Sequence, residues 1–473
     1  MRRMLFYGSL VIFVGALAIS WLTHGTGVVG NHADRNIAIP RDLTVPLQVM
    51  AAHNNERNFI RYRWPSPEPG IHHDVLRHED GKWVRYGRDV PGSEPHGLHE
   101  DRVAMMLDDG SVPEFARYGG YITIGDGLVG LTTEADGDAV EAHTYLGGVQ
   151  GQEEVTKYLP ATRSVLGDWS AVEPQPVLEA LRSAGYFLDL WHWRAYRSNP
   201  LDISDDQFVA EARYGDSGRS GWSTNWDGEN EHPRMMFDPE QVGFRALSWD
   251  DVISKRHGFD EIYYLSEAQA VPFDPNAGWQ DGDTIPRRLL RDYEGSRADV
   301  GVSGHGRWQD GFWDVTLTRL LDTGNPLEDK ILDHKGIYHA AFAIHRNATG
   351  GRWHYVSLPV TLGLDRDADL MAVHFEGEAP DWQQAWTDVT LFYPGQVSWA
   401  DINSRHHAGA ESVAQGVPVK FRHSEAQLAH YGIEAEFRNE VRRQWLLTLF
   451  AGVLLIVGFG VALNLLMDAR KGV

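Results

Sequence analysis

The residues best equipped for chemistry in this chain are imidazoles and guanidiniums placed on strand-like segments. In Asp189-Leu190-Trp191-His192-Trp193-Arg194-Ala195, the two-residue period of a strand puts Trp191 and Trp193 on one face and Leu190, His192 and Arg194 on the other. In Arg352-Trp353-His354-Tyr355-Val356-Ser357-Leu358-Pro359, the same period groups Arg352, His354, Val356 and Leu358. A neutral imidazole on an apolar face can ligate haem iron, and a neighbouring guanidinium can neutralise a propionate. The competing reading of the same residues is a core histidine bonded to backbone. His72-His73 and His406-His407 lack the spacing that points two imidazoles at one ion, and both fall in expected loops. In so acidic a chain, Asp205-Asp206 and Asp250-Asp251 read as solvated loop charges.

Other chemistries are missing. There is no Gly-x-Ser-x-Gly elbow, Walker loop or His-Glu-x-x-His helix. Gly125, Gly127 and Gly130 match Gly-x-Gly-x-x-Gly, but Leu131 to Gly137 is a poor start for the helix that a dinucleotide site needs. With no cysteine, disulfides, thiolate zinc, cysteine-held iron–sulfur clusters, a cysteine nucleophile and covalent c-type haem are all excluded. Lys and Arg total 43 against 66 Asp and Glu, a formal charge of -23, which repels phosphate backbones and argues against nucleic acid as a partner.

The elements that must position these residues follow from the apolar pattern. The 473 residues are 42% hydrophobic and 23% charged, enough for one large core or two ordinary ones. Leu47 to Ala51 and Phe59 to Trp64 read as a hairpin. Arg102 to Leu107 and Tyr186 to Ala195 read as core strands. Gly306 to Leu320 folds back at Gln309-Asp310-Gly311, and Ile337 to His345 pairs with Arg352 to Leu358. Pro65 to Pro95 reads as loop around one short strand, while Pro176 to Ser183 and Asp250 to Arg256 read as short connecting helices. The expected fold is mainly β, an antiparallel sandwich.

Leu5 to Leu22, behind Arg2 and Arg3, and Trp445 to Met467 are uncharged apolar runs of membrane-spanning length. They predict an uncleaved N-terminal anchor over 1–22 and a second span over 445–467. Between them lie an extracytoplasmic domain (23–402) and a helical linker (403–444), with a cytoplasmic tail at 468–473. The basic N-terminus places both ends in the cytoplasm and the domain, in a bacterium, in the periplasm at the inner membrane.

His99-Glu100-Asp101-Arg102-Val103-Ala104-Met105-Met106-Leu107, the Trp-His-Trp strand, and Ala341-Phe342-Ala343-Ile344-His345 through Arg352 to Pro359 together resemble the ethylbenzene-dehydrogenase-type haem-binding domain. The resemblance runs from about Val45 to Trp399. That family includes γ subunits of enzymes related to dimethyl sulfoxide reductase, and the resemblance implies a β-sandwich holding one haem. In soluble γ subunits the axial pair is Met and Lys; in c-type relatives a Cys-x-x-Cys-His motif follows the Asp-Arg strand. Here Phe115-Ala116-Arg117-Tyr118-Gly119-Gly120-Tyr121 has neither cysteine nor the expected Met. By resemblance one axial position falls in the strand carrying His354. The second is open among His192, His143, His99, Met105 and Met106, with His192 ranked first and Arg352 and Arg194 as propionate contacts. The expected function is that of a membrane-anchored, periplasmic haem b electron-transfer protein rather than a stand-alone catalyst. Its redox partner would be a basic carrier protein, a molybdoenzyme or a quinol complex. The alternative is a haem-less sandwich serving as scaffold in a membrane redox complex.

Overall fold

The computed structural model describes residues 2–23, 44–86, 98–123, 135–165, 168–254, 261–346, 354–392 and 434–470, with only the backbone of His354 included. The chain forms two compact units, Met1–Asn31 with Lys420–Val473, and His32–Val419.

The second unit is mainly β. Twelve of the fourteen strands of its main sheet are β1 (Thr44–His53), β2 (Arg57–Pro65), β3 (Arg102–Asp108), β4 (Leu188–Arg194), β5 (Asp205–Val209), β6 (Arg213–Gly215), β7 (Phe312–Leu320), β8 (Ile337–His345), β9 (His354–Ser357), β10 (Val360–Leu364), β11 (Leu370–His374) and β12 (Thr387–Phe392); the short Gly301–Val302 and Arg307–Gln309 also pair with β7. They run in the order β6-β5-β4-β3-β8-β9-β12-β1-β2-β7, with β10 joining β8 to β11 and β11 joining β1. Most pairings are antiparallel; β1 with β11 and β10 with β11 are parallel.

This long sheet folds over so that β2 and β7 face β3, β4 and β8. The inward side chains are those that alternation assigns to one face. The Tyr62 hydroxyl of β2 lies 3.5 Å from Met105 Sδ of β3, and its ring packs on Phe342 of β8. Trp64, Trp193 and Trp313 form an aromatic core with ring centres 5.1 to 6.0 Å apart. Such offset and edge-to-face packing holds the two layers together beyond simple area burial.

The same interlayer space carries charge. Fully buried Arg319 of β7 reaches Asp189 of β4 at 2.7 Å and Asp329 at 2.6 Å, with Asp206 of β5 at 3.6 Å. Its guanidinium lies over the Trp191 ring. Asp205 and Asp206 are not solvated loop charges: both are fully buried in β5, Asp206 facing Arg319 between the layers and Asp205, on the other face, held by Arg194 at 2.6 Å and Arg297 at 2.8 Å.

Turn chemistry explains the hairpins. Arg307–Gln309 pairs with β7 across Asp310 and Gly311, both with positive φ, the backbone that a two-residue primed turn requires. The stretch after Pro65 departs from expectation, holding two strands, Val75–Glu79 and Lys82–Tyr86, paired across Asp80-Gly81, again with positive φ. The expected short helices form over Gln175–Ser183 and Trp249–Ile253.

In the first unit, Arg2–Thr23 and Glu434–Arg470 are helices, each with a segment long and apolar enough to cross a membrane. They pack on each other through small side chains. A Cβ at Gly458 would sit 3.1 Å from the Ser9 carbonyl and 3.4 Å from Phe13 Cβ, and Phe13 meets Phe459. Gly452 and Gly460 have no such neighbours.

Candidate functional site

The outer face of the sheet, opposite the tryptophan core, is built in rows across β4, β3, β8 and β9. Strand register sets Arg194, Arg102, His345 and His354 side by side. One step along come His192, Ala104, Ala343 and Val356, and the next row holds Leu190, Met106 and Ala341. Directly opposed residues in neighbouring strands share a face, so this surface grades from polar to apolar over three rows.

The apolar row is capped. A short helix, Pro113–Tyr118, runs into a 3-10 turn at Gly119–Thr123. Gly120 lies so close that a Cβ there would meet Val356 at 3.4 Å and Met106 Sδ at 3.9 Å. The Tyr121 hydroxyl donates to the Val356 carbonyl at 3.1 Å. Yet Ala104 and Ala343, in the middle of the sheet, are only half-buried, so the small side chains leave a floor on the middle row.

The polar row is anchored by four consecutive buried residues, His99 to Arg102, that lead into β3. The Arg102 guanidinium donates to His99 Nε2. Glu100 accepts from the backbone N–H groups of Tyr196 and Arg197 at 2.8 Å and from Arg197 Nε at 2.6 Å. Asp101 accepts from Trp313 Nε1 at 2.7 Å and from the Ser66 hydroxyl at 2.9 Å. Burial pushes the Glu100 carboxyl up, but Arg197, Arg102 and Arg194 outweigh it and hold the pKa below the ordinary value. Arg102 itself is held well below its usual pKa by burial and by Arg197, which marks a local excess of positive charge. His73 packs on His99 with ring centres 4.8 Å apart, and His99 lies 6.2 Å from His345, so three imidazoles line this end.

His192 is the most informative residue of the middle row. Arg194 bridges Asp205 at 2.6 Å and donates to His192 Nδ1 at 3.0 Å. Burial, Arg194 and Arg102 lower the His192 pKa well below normal, so the ring is neutral. A guanidinium can only donate, so Nδ1 accepts and Nε2 carries the hydrogen. That Nε2 is buried without a hydrogen-bond partner. As it stands, His192 offers an N–H to an acceptor. Ligating iron through Nε2 requires Arg194 to release Nδ1.

Of the residues singled out in the sequence, His192 and Arg194 share the face that alternation assigns them. His354 is the register partner of His345, and its side chain lies outside the described residues, as do Arg352, His406, His407 and the Gly125 to Gly130 motif. Met106 belongs to the outer face, whereas Met105 points into the interlayer core against Tyr62, so those two alternatives lie on opposite sides of the sheet. His143 is remote, taking backbone N–H bonds from Tyr145 and Leu146. His345 and Arg102 escaped the sequence reading as site residues. The signal for His345 was present in Ala341-Phe342-Ala343-Ile344-His345, where two alanines share its face.

The residues present fit a flat group with an apolar body and an anionic edge. The half-buried Ala104 and Ala343 give it room, the capped row beside them gives an apolar border, and Arg102 and Arg194 balance negative charge.

Comparison with known proteins gives the family. A 92-residue segment is 34% identical to "Cytochrome c-552" of Stutzerimonas stutzeri, covering 20% of this chain and 29% of that protein. The chain thus spans less than a third of the length of that curated relative. The family model described as ethylbenzene dehydrogenase matches residues 22–357, a stretch that contains all three rows of the outer face. The chain belongs to the ethylbenzene dehydrogenase family.

Proposed function

We propose that this protein is an electron-transfer subunit that binds one non-covalent haem b on the outer face of its main sheet and is held at the inner membrane by two spans, with the β unit in the periplasm. The observation that carries the reading is the half-buried Ala104–Ala343 floor, which continues the row of the neutral, orphaned His192 and adjoins Arg102 and Arg194. Haem iron, when bound, supplies one-electron exchange. The chain supplies what controls it. His354 would hold the iron, Arg102 and Arg194 would balance propionate charge, and the Gly119–Thr123 turn keeps water from the apolar row. His192 would donate its Nε2–H to an anionic edge of the group. Binding is non-covalent because the chain has no cysteine, and the name of the cytochrome c-552 relative supports haem in a segment like this one. Asp468 apart, every acidic residue lies between the two apolar runs. This fits a basic carrier as redox partner, docked with electrostatic steering, while family membership fits a molybdoenzyme or quinol complex on the other side of the transfer.

The test is the pyridine haemochrome of full-length protein purified after haem supplementation. One b-type haem per chain is expected, with His354→Ala losing most of it. A chain that takes up no haem contradicts the proposal and leaves a haem-less scaffold of a redox complex.

A further inference from the structure

A second group of imidazoles lies elsewhere on the sheet, at the end of β1. His53, fully buried, is the register partner of His374 at the end of β11. His334, in the loop before β8, approaches from the other side. Ring centres are 5.4 Å apart for His53 and His374 and 5.6 Å for His53 and His334. Asp365, in the turn after β10, completes the group. Its backbone is left-handed, its Oδ1 accepts from the His374 backbone N–H at 3.2 Å, and its Oδ2 lies 3.1 Å from His53 Nε2.

The protonation of His53 is set from its other side. Nδ1 lies 3.2 Å from the Asn54 carbonyl, which can only accept, so Nδ1 carries a hydrogen. In the neutral ring Nε2 is then a bare lone pair facing a carboxylate, and it has no hydrogen-bond partner. Two acceptors at this distance are favourable only with a proton or a metal cation between them. A proton makes no use of two further imidazoles; a metal uses both. Two imidazoles on one tetrahedral zinc, with Zn–N of about 2.0 Å, have ring centres about 5 Å apart, close to the separations seen. Three imidazoles and one carboxylate suit a borderline divalent transition metal rather than calcium or magnesium.

We propose that His53, His334, His374 and Asp365 form a binding site for a divalent transition metal of the zinc class. His53 Nε2 and Asp365 Oδ2 form one preset edge of the coordination shell, and the exposed His334 and partly exposed His374 close it by turning their rings. That turn is needed because, among the described residues, only Asp189, Asp206 and Asp329 bring three ligand atoms within 4.8 Å of one another, and there the Arg319 guanidinium already supplies the cation. The His53 group differs in facing solvent, which gives an ion a way in.

The experiment uses chelator-stripped, tag-free, full-length protein in detergent, titrated calorimetrically with Zn2+ and spectroscopically with Co2+. One zinc equivalent is expected, with visible cobalt bands of tetrahedral type. Both should vanish in the His334→Ala/His374→Ala double variant, whose surface positions leave folding intact, as metal-free thermal melts of the two proteins will show. Asp365→Asn, which keeps the left-handed backbone, should weaken zinc by about ten-fold or more. No zinc uptake by the wild type overturns the proposal. So does an equivalent that survives the double variant unchanged.

Discussion

Arg194 stands between two acceptors, and this decides what His192 can do. Because the guanidinium is tied to Asp205 and donates to Nδ1, the imidazole turns its N–H toward the outer face. His192→Gln, which keeps a donor, should retain haem with the wild-type Soret position, and His192→Leu should loosen haem while the Soret position of the bound fraction persists. A shifted Soret band in the Gln variant would show that the imidazole is itself an iron ligand. A second residue-scale prediction concerns the interlayer acids. Asp216, buried just after β6 with its backbone N–H on the Asp206 carbonyl at 3.2 Å, is pushed up to about 9 by burial and then by Asp329 and Asp189, and burial pushes Asp189 up to about 6. The native state therefore holds protons that the unfolded chain releases near pH 4, so stability falls as pH rises from there through the folded values. Asp216→Asn should flatten this dependence and raise the melting temperature at pH 8 more than at pH 5, read by thermal melts across that range. Alternation sufficed to place His192 and Arg194 in the sequence. It could not expose Asp205 and Asp206, since an acidic pair in an acidic chain carries no burial signal and its partners Arg194, Arg297 and Arg319 are brought to it only by the fold.

Among the elements, the decisive feature is a sheet face on which small residues are set in the two central strands. Ala104 and Ala343 oppose each other in register, and in these two strands nothing bulkier than a methyl stands between Arg102 and His345 on one side and the capped apolar row on the other. The Ala104→Leu/Ala343→Leu double variant should fold, because the face is half-open, yet fail to take up haem. Equal haem content in variant and wild type, measured by absorbance per chain, would remove the floor from the account. Hairpins were legible where the turn residues are unambiguous, as at Gln309-Asp310-Gly311. The Asp80-Gly81 turn carries the same chemistry but was masked by a surrounding stretch rich in Pro and His. The Gly119-Gly120 approach to Val356 and Met106 had no sequence signal, since a glycine pair does not name the strand it will rest against.

For the whole molecule, two terminal apolar helices and one acidic β unit set the physical setting of the reaction. Both helices were plain from length and lack of charge. Their mutual packing was not, because Gly452, Gly458 and Gly460 look alike in sequence and only Gly458 meets the other helix. Tight packing at a small residue is what holds apolar helices together where no hydrophobic drive separates helix from lipid. Gly458→Leu should therefore loosen the pair, seen as loss of a crosslink engineered between the two helices, while haem content stays unchanged. With a formal charge of -23, electron exchange with a basic carrier should slow as ionic strength rises, while exchange with a neutral small-molecule reductant should not. The measurement that bears most directly on the central claim is the absorption spectrum of the detergent-purified full-length protein, supplied with haem, oxidised and then reduced with dithionite. The expected result is a b-type Soret band that shifts on reduction, lost in the Ala104→Leu/Ala343→Leu variant. A colourless, folded protein after reconstitution would contradict it.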